Sequence, residues 1–386
     1  MPRTIIAQTS EIDEADVAMV DIMAQLDLAN NLQANSVGFL FGDSSLFDRG
    51  LLPALSKRLP FDVVGINTNL TSGPNQQADY SLLTLMVLTG DDIRVATGLS
   101  GEFGPSDPDS ITDLYRNVAS KLENPPKLAI MFGSRQSQVF HPDRLIARLN
   151  ESFGDCPIFG ALGSDLDPSV DNAYMFYNGQ KYMERATLVM IDGPIDPRFS
   201  FYTIPAHKFL KRKATITSCS GNIIDEINGL PAMDYLSTLG LIVDNNPAFT
   251  FNVPLVVGNP RASFWEPMLI VRQTDTGSLV CTQDVEKNST LGLAAIDDTD
   301  VVKSAGELAD ELKWEAFDFC LIHSCQGRHI AMGLNYLGEI ERIRSSLGGL
   351  FPYSVSYSGG EICPRVMDRN GPVNGFHTLS LTCCRF

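Results

Sequence analysis

The feature that most constrains this chain is a unit that recurs along its 386 residues: strand, polar turn, helix, strand, small polar loop, further strand. The first copy reads as a strand over 36–41, a turn at 42–45, a helix over 46–59, a strand over 60–65, a loop at 66–69 and a strand over 80–88. The second runs as a strand over 128–132, a turn at 133–137, a helix over 143–153, a strand over 156–160, a loop at 161–165 and a strand over 186–191. The third has a strand over 317–322, a turn at 323–328, a helix stopped by Gly348 and Gly349, a strand over 351–355, a loop at 356–361 and a strand over 376–384. A weaker copy spans 230–282, with its first strand illegible. Upstream, Ser10 and Asp13 are spaced as a capping box opening an amphipathic helix of about 20 residues.

A strand–helix–strand stretch of this length permits a right-handed crossover between parallel strands, and the third strand can return antiparallel. The expected fold class is therefore α/β (α+β): repeated strand-helix-strand-strand units forming mixed sheets covered by helices, in two similar lobes. The expected organisation is a lead-in with a helix over 1–35, one lobe over 36–218 and a second over 219–386.

Composition narrows the function. With 46 acidic against 29 basic residues the net charge is −17, which repels a phosphate backbone, so no nucleic-acid partner is expected. The one basic cluster, Lys208, Lys211, Arg212 and Lys213, is short and lies among apolar residues. Eight cysteines show neither a Cys-x-x-Cys pair nor zinc-finger spacing with histidine. The start of the sequence lacks the pattern of a signal peptide, and no apolar run has the ~20 residues of a membrane span. A cytoplasmic location with reduced thiols and no membrane insertion is expected. Asp297, Asp298 and Asp300 read as a solvated loop or a helix start, and no metal site is expected.

Strands joined by a parallel crossover end on one sheet edge, outside which ligands bind. The segments placed there are 43–45, Asn67 and Thr68 in 67–69, Ser134 and Arg135, Ser164 and Asp165 in 163–165, Cys325 and Arg328 in 324–328, and Ser358, Gly359, Gly360 and Glu361. His377 opens the final predicted strand near the same edge. Small polar loops rich in backbone N–H groups, hydroxyls and charges suit a small polar ligand. Turns alone also favour these residue types. Arg328 and Glu361 lead the candidates, because a buried charge without a partner is costly and a ligand or counter-ion should meet it.

The segment 219–235, with Asn222, Glu226, Asn228, Gly229, Pro231, Ala232 and Tyr235 in order, resembles the join between the FIST N and FIST C domains. The stretches 158–160 with Asp165, 174–179, 325–328, 358–364 and 376–378 agree in order, so the resemblance runs from about residue 30 to the end. It departs where Asn67, Thr68 and Asn69 replace the family's Cys-Ser-Thr, and where His377 lacks a following Asn. The resemblance implies a sensory domain in intracellular signal transduction, binding an amino acid or similar small polar metabolite and passing its signal to a separate signalling protein. By the same resemblance a haem-binding gas sensor is an alternative, with His141, His207, His323, His329 and His377 as possible axial ligands. Cys325, Glu361 and His377 would serve a Cys-dependent hydrolase or transferase, although no nucleophile elbow occurs and no enzyme is expected. A protein-interaction scaffold, anchored by Phe264 and Trp265, is the third alternative. Asn228 to Ala232 read as a turn leading into a helix, a structural joint.

Overall fold

All three crossovers form in the computed structural model, which describes residues 2–11, 14–76, 78–104, 109–134, 141–165, 172–241, 252–258, 265–368 and 371–386. Strand β1 (Arg3–Thr9) precedes helices α1 (Ala15–Leu26) and α2 (Leu28–Asn31). The first unit is β2 (Asn35–Gly42), α3 (Ser44–Asp48), α4 (Leu51–Arg58), β3 (Asp62–Asn67) and, after β4 (Thr71–Ser72), the returning β5 (Leu83–Gly90). Next, β6 (Arg94–Leu99) and α5 (Asp109–Ala119) lead to the second unit. It comprises β7 (Leu128–Gly133), α6 (Pro142–Phe153), β8 (Ile158–Leu162), the hairpin β9 (Met175–Tyr177) and β10 (Gln180–Tyr182), and the returning β11 (Ala186–Asp192). The middle of the chain holds β12 (Arg198–Tyr202), β13 (Ala214–Ser220), β14 (Ile223–Ile227), β15 (Leu230–Pro231) and α7 (Ala232–Ser237). It continues with β16 (Leu255–Gly258), β17 (Trp265–Met268), β18 (Ile270–Gln273), β19 (Leu279–Cys281) and β20 (Thr290–Leu293). Helix α8 (Asp298–Leu312) opens the third unit: β21 (Cys320–Cys325), α9 (Gln326–Ala331), α10 (Gly338–Leu347), β22 (Ser354–Ser358), the hairpin β23 (Glu361–Asp368) and β24 (Gly371–His377), and the returning β25 (Leu381–Arg385).

Each unit has the same core. Strands β2 and β3, β7 and β8, and β21 and β22 pair in parallel, and β5, β11 and β25 run antiparallel to the first strand of each pair. The sheet orders are β1-β5-β2-β3-β9-β10, β24-β23-β8-β7-β11-β6 and β12-β25-β21-β22-β4. Two of these draw strands from both sides of residue 218: β23 pairs with β8, and β4 with β22.

Alternation of side chains across the strands explains the layering. Phe39 and Phe41 from β2, Ile130 and Phe132 from β7, and Phe319 and Leu321 at β21 turn inward into one buried core shared by the three sheets. The intervening residues face helices: Leu40 meets α1 and α4, Met131 meets α5 and α6, and Ile322 meets α8 and α10. Strands buried on both faces read as continuous apolar runs. At the centre, His323 packs against Phe41, Phe132 and Phe159 at ring-centroid distances of 5.6, 5.9 and 5.4 Å.

Several expectations need correction. The lead-in contains β1, paired along its length with β5. Asp13 lies outside the described residues, and α1 starts at Ala15 behind Glu14, which makes no side-chain cap bond. The stretch after Leu230 is no fourth copy. Among the described residues its strands pair only antiparallel, within an eight-stranded sheet that carries its own core. The final strand starts at Leu381; Phe376 and His377 end β24 instead, so His377 does not open the returning strand. Asn228 and Gly229, at φ 52° and 76°, form the tight turn between β14 and β15, ahead of α7. Asp297 and Asp300 form a reciprocal capping box at the start of α8.

Candidate ligand-binding site

Because each crossover is parallel, the carboxyl ends of β2, β3, β7, β8, β21 and β22 carry the polar loops, and backbone hydrogen bonds draw all three units together there. Ser164 N donates to Asn67 O at 3.0 Å, Gly359 N to Leu162 O at 2.9 Å, and Tyr357 N to Leu70 O at 3.1 Å. No bulk fits at this seam: a Cβ on Gly163 would lie 2.4 Å from Tyr174 O, and one on Gly359 would lie 2.5 Å from Gly163 O. Gln326, the first residue of α9, donates to Asp165 O, while Ser44 Oγ donates to Asp165 Oδ2 at 3.2 Å. One residue from each unit thus meets at Asp165.

Many predicted site residues serve this framework. Asn67 uses both ends of its amide, donating to Asn172 O at 2.8 Å and accepting from Tyr174 N at 2.6 Å. Thr68 Oγ1 donates to Leu70 O, and Ser164 Oγ to Tyr357 O. Arg328 is buried, and its counter-ion is Glu339 of α10, reached at 2.6 Å; Ser304 Oγ takes a further bond at 2.7 Å. Glu339 also accepts from Ser324 Oγ at 2.8 Å. The charge on Arg328 is therefore met within the protein, and its role is to fasten α9 between α8 and α10. Arg135 lies outside the described residues.

Glu361 is fully buried, accepting from Ser358 Oγ at 2.6 Å and Ser380 Oγ at 2.5 Å. Burial pushes its carboxyl up to about 8. Gly360 holds φ 147°, and a Cβ there would meet the Phe376 ring at 2.4 Å. His377 pairs with Glu361 across the β23–β24 ladder but binds Cys363 O through Nε2 at 3.0 Å. The Cys325 thiol is buried and pushed far above its usual range, first by burial and then by Glu361. A nucleophilic cysteine needs a thiolate and a free base. This constellation offers neither.

Sequence reading missed the side chains with capacity to spare. Asn69 and His329, both buried, meet at 3.0 Å between Nδ2 and Nδ1. Asn69 Oδ1 and His329 Nε2 have no hydrogen-bond partner among the described residues. Buried polar atoms are rarely left so. Burial holds the His329 imidazole below its usual range, hence neutral. Around it stand Tyr357 at 4.6 Å, Tyr336 at 6.0 Å and Tyr80 at 6.4 Å. Tyr80 and Tyr336 stack at 5.7 Å where the cluster reaches the surface. The available signal was Asn69, in the loop already placed at the strand ends, and His329, one helical turn beyond Gln326.

Haem finds little room at His323 and His377. Rings pack closely on His323 and His377, and His207 is exposed on a short turn. A haem on His329 would have to displace the tyrosines around it. Two surface clefts, of about 500 and 310 Å³, are not lined by histidine. Trp265 is half-buried, beside Phe209 and beneath Lys213; Phe264 lies outside the described residues. Among the described residues no helix is long and apolar enough to cross a membrane.

The model of the FIST N domain matches residues 36–230, and that of the FIST C domain matches residues 232–364. No curated relative matches the chain. Among solved structures, T. maritima PurL complexed with ATP is aligned at 8% identity over 100% of this chain and 71% of that chain, with a TM-score of 0.19, too low to bear on fold or function. Between them the two domain models cover most of the sequence, in consecutive order, and the chain belongs to the FIST family.

Proposed function

We propose that this protein is a ligand-binding sensory module of intracellular signalling, acting without catalysis and passing its signal to a separate protein. FIST domains are signalling sensor domains, which supports the general role. The ligand is a small polar metabolite of the amino-acid kind, held where the three units join at the carboxyl ends of their parallel strands. The observation that carries this reading is the pair of free, buried polar atoms on Asn69 and His329 at that junction. Unmet hydrogen-bonding capacity of this kind is what a ligand satisfies on binding.

The test is a thermal-shift screen of the full chain against amino acids and related metabolites, repeated with Asn69→Ala. A ligand at 100 times its dissociation constant stabilises by about 2.7 kcal/mol, a clear rise in melting temperature. The expected result is a hit that Asn69→Ala loses. A library without any hit would remove the sensory reading of this site.

A further inference from the structure

From the Asn69–His329 pair we infer the class of ligand: the site reads a neutral group with a hydrogen-bond donor beside an acceptor, such as a carboxamide or lactam edge, and rejects the matching carboxylate. This deepens the proposed function and rests on it. Asn69 Nδ2 donates to Nδ1 of His329 at 3.0 Å. A ring nitrogen that accepts carries no hydrogen, so the neutral imidazole has its hydrogen on Nε2. The two free atoms are then an acceptor, Asn69 Oδ1, and a donor, Nε2–H.

The conclusion does not depend on which way the amide points. Reversing Asn69 would set its carbonyl against Nδ1 and move the ring hydrogen there. The free groups would become an NH2 donor and a bare Nε2 acceptor. With the imidazole held neutral by burial, one donor and one acceptor remain in either case.

Each free atom lies across one ring or one amide from the same 3.0 Å contact. A carboxylate offers only acceptors and would face Asn69 Oδ1 unsatisfied. An ammonium offers only donors and would leave Nε2–H unmatched. A carboxamide or lactam offers both. The cation on the same helix, Arg328, does not favour an anion here, since Glu339 takes it. The tyrosine rings at 4.6, 6.0 and 6.4 Å from His329 give the rest of the ligand an apolar flank suited to a flat amide.

Titration calorimetry on the full chain with three matched pairs tests this: asparagine against aspartate, glutamine against glutamate, and nicotinamide against nicotinate. At least one amide is expected to bind about tenfold or more tightly than its acid, the scale of a buried group left unpaired. Asn69→Asp makes the first residue all acceptor, so amide binding should fall about tenfold while benzamidine, which presents two donors, gains. If Asn69→Asp does not fold, His329→Gln serves: it keeps an amide nitrogen near Nε2 and should retain the amide preference, which His329→Leu should lose. Acids binding as well as amides, or amides bound equally by every variant, would overturn the inference. A hit from the metabolite screen that needs Asn69 but is no amide or lactam would overturn the inference and leave the sensory site standing. Silence from every compound in both experiments, as when a lone water satisfies the pair, would overturn both.

Discussion

Arg328 marks the limit of reading a residue without its neighbours. A buried guanidinium does call for a counter-ion, but Glu339 supplies it from the next helix. Arg328→Ala would leave Glu339 buried without its counter-ion, and should cost about 3–5 kcal/mol of stability, measured by denaturant unfolding. Glu361 makes a second prediction at this scale. Its carboxyl is raised to about 8, so the folded chain keeps a proton that the unfolded chain releases near 4.5. The stabilisation is therefore complete below about 4.5 and is lost as pH rises through 8. Glu361→Gln, permanently neutral, should remove that loss, so its stability relative to the parent should rise between pH 5 and pH 8. The histidines titrate in the opposite sense. Burial holds His323 and His377 near 3, and their contribution is present above about 6.5 and lost as pH falls. Residue types at the strand ends were legible from the sequence. Which of them were already paired was not, because Asn69 with His329 and Arg328 with Glu339 depend on packing between distant segments.

Among the elements, the units were the most legible part of the fold, since apolar runs of strand length and polar turns recur in the same order. Short or merged elements were not. The stretch read as one helix over 46–59 is α3 and α4, parted at Gly50 with φ 86°, and β1 and β23 carry too little pattern to announce themselves. Register adds a constraint shared by two units. Gly65 lies opposite Leu40 and Gly160 opposite Met131, and a Cβ at either would stand 1.9 or 1.8 Å from that residue's carbonyl oxygen. Gly65→Ala and Gly160→Ala should each destabilise by about 3 kcal/mol or more, because the contact is with partner-strand backbone that cannot turn aside. In the third unit the corresponding pair is Ile322 and Val355, so the constraint is not repeated there. Circular dichroism melts of the two alanine variants would check the prediction.

At the scale of the whole molecule, three helix-covered sheets share one core, and their strand ends meet at one polar junction. The sequence predicted mixed sheets and a common edge within each unit. It did not show that the edges of different units join, because the pairings of β4 with β22 and β8 with β23 span more than 190 residues and leave no local trace. That junction is where the ligand is proposed to bind. The most direct test is a crystal structure of the protein with a hit from the metabolite screen. The expected result is a ligand at the junction, bonded to Asn69 Oδ1 and His329 Nε2 beside the tyrosines. A ligand found instead in the surface groove between α8 and α10, among Asp298, Lys303, Glu307 and Arg342, with Asn69 and His329 untouched, would contradict it.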